Sequence, residues 1–239
     1  MTTHNSKSGR KIDSSIENPI DNIMINISEW LSPYFRKMNY TPNGITTLSV
    51  IFGTASLYNL YYHNVYQFAI YFIIAYMFDC MDGYYARKYN MVTDHGDKYD
   101  HIKDLILAIS FTSIMYKQYN VTDFPILILV ICVLGVLSMM SVGCHEKIAN
   151  KKDKSDTLKV LSVITPNKEK CQSYINYLKY FGPGTFVLIV VAAVIYIEWQ
   201  QPIMTILNNN QMTDNQMRDI LDISKPFNGF GSVNRNPFL

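Results

Sequence analysis

The sequence predicts an all-α, polytopic membrane helix bundle of five to six transmembrane helices, preceded by a helix that lies in the membrane interface. Nearly half of the residues, 49%, are hydrophobic, and they are gathered in long blocks separated by polar connectors. A helix needs about 20 apolar residues to cross the roughly 30 Å bilayer core, and several blocks approach that length. Basic residues also cluster on one side of the blocks, which is typical of a membrane protein with several crossings.

Three of the blocks are long enough to cross a membrane by themselves, namely residues 43–62, 124–143 and 180–197. Two shorter blocks, 65–78 and 105–116, flank a charged run and reach spanning length only if part of that run is included. Charged side chains at membrane depth are tolerated chiefly when they face a bundle interior or a wet cavity. The charged run is therefore a candidate functional site.

The first part of the chain differs from these blocks. Residues 20–37 have apolar side chains at helical spacing, a tryptophan and a basic end, which predicts an interfacial helix kinked or interrupted at Pro33. Residues 1–19 lack an apolar signal-peptide core, so we expect a disordered cytosolic tail. We assign residues 20–198 to one membrane domain and residues 199–239 to a polar C-terminal tail.

The distribution of charge predicts the orientation. Lysines and arginines occur in the N-terminal tail, in the charged run and in residues 144–179, whereas the connector between the third and fourth crossings holds only Lys117. The charged run is then cytosolic, at an endoplasmic reticulum or plasma membrane. The net charge of +2 and the lack of a basic face argue against nucleic acid as a partner. The four cysteines form no C-x-x-C pair, and we expect reduced thiols.

The charged run is FDCMDGYYARKYNMVTDHGDKYDHIKD, residues 78–104. Asp79 and Asp82 are three residues apart, and Asp100 and Asp104 are four apart, so each pair shares one face of a helix. If the two helices lie antiparallel across a connector containing Gly96, all four carboxylates converge. Repulsion among them would be offset by hard divalent cations that prefer oxygen ligands.

Such a cluster suits phosphoryl or phosphodiester chemistry. Two metal ions that share carboxylates neutralise transferring phosphate groups, and Arg87 offers a bidentate phosphate contact. Gly83 lets a nucleotide approach the backbone closely, because it has no side chain. A carboxylate that is not wholly committed to metal can accept a proton from an attacking hydroxyl.

The pattern D-x-x-D-G-x-x-A-R-x8-G-x-x-x-D-x-x-x-D resembles the motif of the CDP-alcohol phosphatidyltransferases. Its eight fixed positions are all present, as Asp79, Asp82, Gly83, Ala86, Arg87, Gly96, Asp100 and Asp104. Pro42-Asn43 is similar to a Pro-Asn pair that is common in the family. The resemblance extends over residues from about 40 to 110.

The resemblance implies transfer of a phosphatidyl or phosphoalcohol group from a CDP-linked lipid or CDP-alcohol to an alcohol or diacylglycerol, with release of CMP. It implies two Mg²⁺ or Mn²⁺ ions held by Asp79, Asp82, Asp100 and Asp104, with Asp104 as the general base. It also implies a binding site for the CDP group formed by Asn43, Gly83, Ala86, Arg87, Thr93 and Gly96. Other expected partners are membrane lipids and a second copy of the chain in a homodimer.

The sequence leaves the substrate and two other functions open. Thr93 and the short chain resemble phosphatidylinositol or phosphatidylglycerophosphate synthases, whereas His101 is more similar to choline and ethanolamine phosphotransferases. A divalent-cation channel or transporter would use the same carboxylates, although Arg87 beside them favours a phosphate ligand. An inactive family member acting as a scaffold is the third alternative, and the complete set of aspartates argues against it.

Overall fold

The computed structural model describes residues 9–119, 121–149 and 165–208, with side chains through residue 201. Most of these residues are helical, and none of them belongs to a β-strand. Short 3₁₀ turns precede the last helix and follow the fourth. The seven α-helices in the described ranges are α1 (Pro19–Lys37), α2 (Pro42–Tyr61), α3 (Val65–Lys88), α4 (Asp94–Gln118), α5 (Pro125–Ile148), α6 (Lys168–Leu178) and α7 (Pro183–Asn208).

The structure confirms the prediction of an all-α membrane helix bundle. Three helical stretches among the described residues are long and apolar enough to cross a membrane: Val65–Lys88, Pro125–Ile148 and Lys168–Gln201. Helices α2 and α4 are not among these three stretches. Helix α2 is rich in Thr, Ser and Asn, and α4 begins inside the charged run. Five or six crossings therefore stay a prediction. The chain divides into units 1–198 and 199–239, and all contacts discussed below lie in the first.

Helix α1 turns its apolar side outward, as an interfacial helix should. Ile23, Ile27, Trp30 and Tyr34 recur at helical spacing and are exposed, with 66% of Trp30 accessible. The opposite face, which includes Ser28, is buried. Since a water-facing helix would show the reverse pattern, this arrangement fits contact with lipid.

The helix is not interrupted at Pro33, since α1 continues to Lys37. A proline inside a helix cannot donate to the carbonyl four residues earlier, which here belongs to Glu29. The hydroxyl of Ser32 donates to that carbonyl at 3.1 Å, so the acceptor freed by Pro33 is satisfied locally.

Residues 9–18 differ from the prediction of a disordered tail. The Arg10 guanidinium donates to the Asn22 and Asn26 side chains of α1, and Lys11 pairs with Glu146 of α5 at 2.5 Å. Asn18 caps α1 and also donates to the carbonyl of Lys179. This segment thus joins the N-terminus of α1 to the ends of α5 and α6.

Helices α1, α2 and α3 end in the same kind of turn. Asn39, His63 and Asn90 adopt positive φ angles of 58°, 60° and 54°, just beyond α1, α2 and α3. After each, the next backbone N–H donates to a carbonyl five residues back, as Met91 does to Ala86 at 2.7 Å. This is the Schellman arrangement, in which asparagine tolerates the left-handed conformation that usually requires glycine.

Helix α3 packs against α1 and α2, α4 packs against α2, and α5 packs against α6. Cys144 of α5 and Cys171 of α6 are fully buried and form a disulfide. The prediction of reduced thiols is therefore wrong for this pair, because distant cysteine spacing cannot reveal which helices become neighbours. Cys80 and Cys132 are free.

The main hydrophobic core lies at the C-terminal end of α2 and α4 and the N-terminal end of α3. We call it the apolar end, and its buried members are Leu60, Val65, Phe68, Met115, Tyr119, Val191, Val194 and Ile197. Tyr119 donates its hydroxyl to the carbonyl of Leu60 at 2.9 Å, and His63 pairs with Glu198 at 2.8 Å. The opposite end of the same helices carries the aspartates.

Candidate functional site

The C-terminal half of α3 presents Asp79 and Asp82 on one face, as their spacing predicts. Asp82 is buried, and its carboxylate accepts the hydroxyl hydrogen of Thr46 from α2 at 2.6 Å. The side chain of Asp79 is 26% exposed. The Asp82 carboxylate is therefore held by the neighbouring helix, while that of Asp79 is partly exposed.

The first turns of α4 supply Asp100 and Asp104. Carboxylate oxygens of Asp79, Asp82 and Asp100 all lie within 4.8 Å of one another. Asp104, one turn further along α4, has a side chain that is 54% exposed. The predicted convergence of α3 and α4 thus occurs, with three acids close together and the fourth at the rim.

A lysine that the pattern does not include lies inside this cluster. The Lys103 side chain is only 2% exposed, and its ammonium lies 2.9 Å from Asp100 and 3.1 Å from Asp104. It also donates to Asp79. We call the four aspartates and Lys103 the charged end. The ammonium offsets part of their mutual repulsion in this buried position.

A fifth acid lies behind the cluster on α1. Asp21 is buried, and it accepts the hydroxyl hydrogen of Tyr76 from α3 at 2.5 Å. Burial raises the pKa of the Asp21 carboxyl to about 6, although its hydrogen bonds to Tyr76 and to the backbone of Gly184 act in the opposite direction. Asp21 thus connects α1, α3 and the start of α7 next to the charged end.

The first turns of α2 and α4 bring three predicted nucleotide-site residues together. Thr93 caps α4 by accepting a hydrogen bond from the backbone N–H of Gly96 at 3.1 Å. A β-carbon at Gly96 would lie 3.0 Å from the Asn43 side-chain oxygen and 3.1 Å from the Thr93 hydroxyl oxygen. Gly96 therefore lets the first turns of α2 and α4 approach closely, and a larger residue there would make the Asn43 and Thr93 side chains shift.

Gly83 and Arg87 form a second predicted pair, one turn apart on α3. A β-carbon at Gly83 would lie 3.1 Å from a terminal guanidinium nitrogen of Arg87, so the guanidinium extends across the glycine. The Arg87 Nε–H donates to the carbonyl of Gly9 at 2.8 Å. Ala86 lies between them in sequence and is half-buried.

The sequence also matches a known protein family over most of its length. Residues 39–208 match the CDP-alcohol phosphatidyltransferase family. The chain belongs to the CDP-alcohol phosphatidyltransferase family.

Curated relatives align with a shorter part of the chain. The CDP-diacylglycerol–glycerol-3-phosphate 3-phosphatidyltransferase of Rickettsia typhi is 41% identical over 61 residues, or 26% of this chain and 34% of the relative. The CDP-diacylglycerol–serine O-phosphatidyltransferase of Bacillus subtilis is 43% identical over 70 residues, or 29% and 39%. The chain thus spans about a third of the length of the relatives that it matches. No solved structure shows a significant match.

The carboxylate oxygens fit the divalent ions that the family motif implies. Asp79, Asp82 and Asp100 offer three carboxylate oxygens close enough together to bind one ion. Oxygen is the ligand that Mg²⁺ and Mn²⁺ prefer. The half-exposed Asp104 leaves the cluster open on one side. The roles of these residues as ligands, as a base and as nucleotide contacts stay predictions.

Sequence reasoning missed Lys103, Asp21 and Thr46. Lys103 had a readable signal, because it lies three residues after Asp100 and therefore shares that residue's face of α4. Thr46 lies one turn into α2, after the Pro42-Asn43 pair, so its position follows from α2 packing on α3. Asp21 had no such signal, since its distance from Tyr76 depends on how α1 packs.

Proposed function

We propose that this chain is an integral-membrane phosphotransferase of phospholipid biosynthesis. It would transfer a phosphatidyl or phosphoalcohol group from a CDP-linked donor to a hydroxyl acceptor and release CMP. The observation that carries the proposal is the convergence of Asp79, Asp82 and Asp100 within 4.8 Å, beside the C-terminal half of the apolar helix α3. The eight-position motif and the family match over residues 39–208 support it.

Asp79, Asp82, Asp100 and Asp104 would hold Mg²⁺ or Mn²⁺. When bound, such ions neutralise the charge on phosphate oxygens and make the phosphorus more electrophilic. The hydrogen bond from Thr46 fixes the Asp82 carboxylate, so that acid keeps its orientation without a ligand. Preorganised ligands of this kind avoid reorganisation during the reaction.

Asp104 is the best-placed general base, because its carboxylate is the most exposed of the four. It would take the proton of the acceptor hydroxyl as the acceptor oxygen forms a bond to the phosphorus of the group being transferred. The bond from that phosphorus to the bridging oxygen of the CDP group breaks, and CMP leaves with the electron pair. The proton remains on Asp104 until it is released to solvent.

The nucleotide would lie against the first turns of α2 and α4 and the last turns of α3. Gly83 and Gly96 add no side chain to this surface, and the Arg87 guanidinium, which extends across Gly83, would form a bidentate contact with the diphosphate. The capped N-termini beside Thr93 and Asn43 also favour an anion, because the helix dipoles are positive there. The methyl side chain of Ala86 would add little bulk between Gly83 and Arg87.

The donor that the relatives favour is CDP-diacylglycerol, which is named in both enzymes. Their printed acceptors differ, being glycerol 3-phosphate and serine. We therefore propose CDP-diacylglycerol as donor and a small hydroxyl compound as acceptor. The CDP-choline or CDP-ethanolamine reaction with diacylglycerol is the reaction to compare.

The proposal includes a multi-pass arrangement with the charged end at the cytosolic face of the endoplasmic reticulum or plasma membrane. Arg87 and Lys88 end α3, and Lys147 lies near the end of α5, so basic residues collect on that side. Residues 20–198 would form the membrane domain, and residues 199–239 its polar tail. A homodimer is part of the same expectation.

The experiment is a CMP-release assay on purified protein in detergent. The donor is CDP-diacylglycerol with glycerol 3-phosphate, serine or inositol, or CDP-choline or CDP-ethanolamine with diacylglycerol. Each pair is run with Mg²⁺, with Mn²⁺ and with EDTA. We expect metal-dependent CMP release with CDP-diacylglycerol and one of the acceptors, and its loss in Asp104→Asn.

Two results would contradict the proposal. Folded protein that releases no CMP from any donor–acceptor pair would favour a scaffold. Uptake of Mn²⁺ into liposomes that contain the protein, together with an absence of CMP release, would favour a cation channel or transporter.

A further inference from the structure

Lys103 is buried among the aspartates that the family motif assigns to metal ions. Its ammonium contacts three carboxylates, those of Asp79, Asp100 and Asp104, and lies 3.5 Å from the hydroxyl of Ser49. Lysines are almost never this deeply buried unless they are paired. The pairing here is with acids that the motif assigns to metal ions.

The four aspartates form two overlapping sets of three. Asp79 and Asp100 belong to both sets, Asp82 completes the first, and Asp104 completes the second. The Lys103 ammonium lies in the second set, while Asp82 accepts its hydrogen bond from Thr46 instead. One set is therefore already filled by a positive charge that belongs to the chain.

We propose that the Lys103 ammonium replaces one of the two divalent ions, so that this chain binds a single ion, in the set of Asp79, Asp82 and Asp100. The inference rests on the proposed function, in which the cluster binds divalent ions. An ammonium has three hydrogens to donate, and three carboxylates surround it. A second dication would have to displace this buried charge from all three partners, which leaves an unpaired charge in the interior.

The position of Lys103 in α4 explains why it can serve as a fixed cation. It lies three residues after Asp100 and directly before Asp104, so the helix itself delivers the ammonium to the cluster. The chain needs no free ion at this position and no dehydration of one, which Mg²⁺ undergoes reluctantly. The cost is one unit less positive charge than a divalent ion supplies.

The test counts bound ions rather than turnover. Full-length protein is purified in detergent, stripped with EDTA, and dialysed against increasing Mn²⁺, with free Mn²⁺ measured by electron paramagnetic resonance. Wild type is compared with Lys103→Met, which keeps an apolar stem without the charge. Lys98→Gln is the matched control, since Lys98 is an exposed lysine on the same helix.

We expect one Mn²⁺ per chain in wild type and in Lys98→Gln, and two in Lys103→Met. The Mn²⁺-induced rise in melting temperature should be about twice as large in Lys103→Met, because two sites contribute to the linkage. If Lys103→Met folds only with metal, it is purified in Mg²⁺ and exchanged into Mn²⁺ before counting.

Two ions in wild type, or any count other than two in folded Lys103→Met, would overturn the role of Lys103. In the first case the proposed function would stand. No bound Mn²⁺ in any of the three proteins would instead overturn the proposed metal-dependent function. The two failures are therefore distinguishable.

Discussion

Helices α2, α3 and α4 build two ends with opposite chemistry. At the charged end, four acids and one buried lysine face one another, and their contacts are hydrogen bonds and ion pairs. At the apolar end, Phe68 stacks on Phe72 and Phe111 with ring centroids 5.3 and 6.1 Å apart. The same helices thus combine a stable core with a cluster that is costly to bury.

The difference shows how the fold supports a cluster of buried charges. Close packing at the apolar end favours folding, whereas uncompensated carboxylates at the charged end oppose it. Lys103 and Thr46 reduce that opposition without removing the acids. We therefore expect substitutions at the charged end to lower activity and substitutions at the apolar end to lower stability.

The largest expected effect is loss of activity in Asp79→Asn, because Asp79 belongs to both carboxylate sets. We expect CMP release to fall by a factor of about 10²–10³, the scale for loss of one group that stabilises the transition state electrostatically. The melting temperature should change little. Asp123→Asn, an exposed aspartate in the turn after α4, is the matched control and should keep full activity.

At the apolar end, Phe68→Ala should lower the free energy of unfolding by about 3–5 kcal/mol, because a fully buried ring is replaced by a cavity. Thermal unfolding in detergent measures the loss. CMP release per folded molecule should stay within about twofold of wild type at a temperature where the variant is folded. A large loss of activity in folded protein would show that the two ends are not separable.

Arg87→Lys should raise the KM for the CDP-linked donor by roughly tenfold, which corresponds to about 1.4 kcal/mol, and change kcat less. A lysine keeps the charge but loses the bidentate contact with a diphosphate. Arg36→Lys is the control, since Arg36 is an exposed arginine at the end of α1. An unchanged KM in Arg87→Lys would place the nucleotide elsewhere.

The smallest effect concerns Glu17, at the N-terminus of α1. Burial and the charge of Asp21 raise the pKa of Glu17 to about 7, against the opposing effect of Arg10 at 3.8 Å. The folded state therefore binds this proton more tightly than the unfolded state, and stability falls as pH rises from about 4.5 to about 7. The change should be about 1–2 kcal/mol, given partial exposure of the side chain.

Melting temperatures measured from pH 5 to pH 8 test this expectation. Glu17→Gln should show a smaller decline than wild type over that range. Glu169→Gln, which alters an acid in α6 away from Asp21, should keep the wild-type slope. Identical slopes in all three proteins would contradict a raised Glu17 pKa.

Sequence reasoning was strongest where local spacing determines geometry. The three- and four-residue spacings placed Asp79 with Asp82 and Asp100 with Asp104, and the apolar blocks located the helices. The basic residues of the charged run indicate only orientation, although the three-residue spacing of Lys103 from Asp100 places Lys103 on the same face of α4.

Features that depend on tertiary packing were not predictable in this way. The disulfide of Cys144 with Cys171 requires α5 and α6 to be neighbours, and no spacing rule relates them. The attachment of residues 9–18 depends on Lys11 reaching Glu146, 135 residues later. The uninterrupted α1 depends on the Ser32 hydroxyl bonding the carbonyl that Pro33 leaves free.

Binding of the CDP-linked lipid donor at the charged end, through divalent metal, can be tested directly because no acceptor need be known. Equilibrium binding of CDP-diacylglycerol is measured in detergent with Mg²⁺ and with EDTA, for wild type, Asp79→Asn and Asp123→Asn. We expect Mg²⁺-dependent binding by wild type and Asp123→Asn, and loss of binding by folded Asp79→Asn. Binding that persists in EDTA and is unchanged in Asp79→Asn would contradict this expectation.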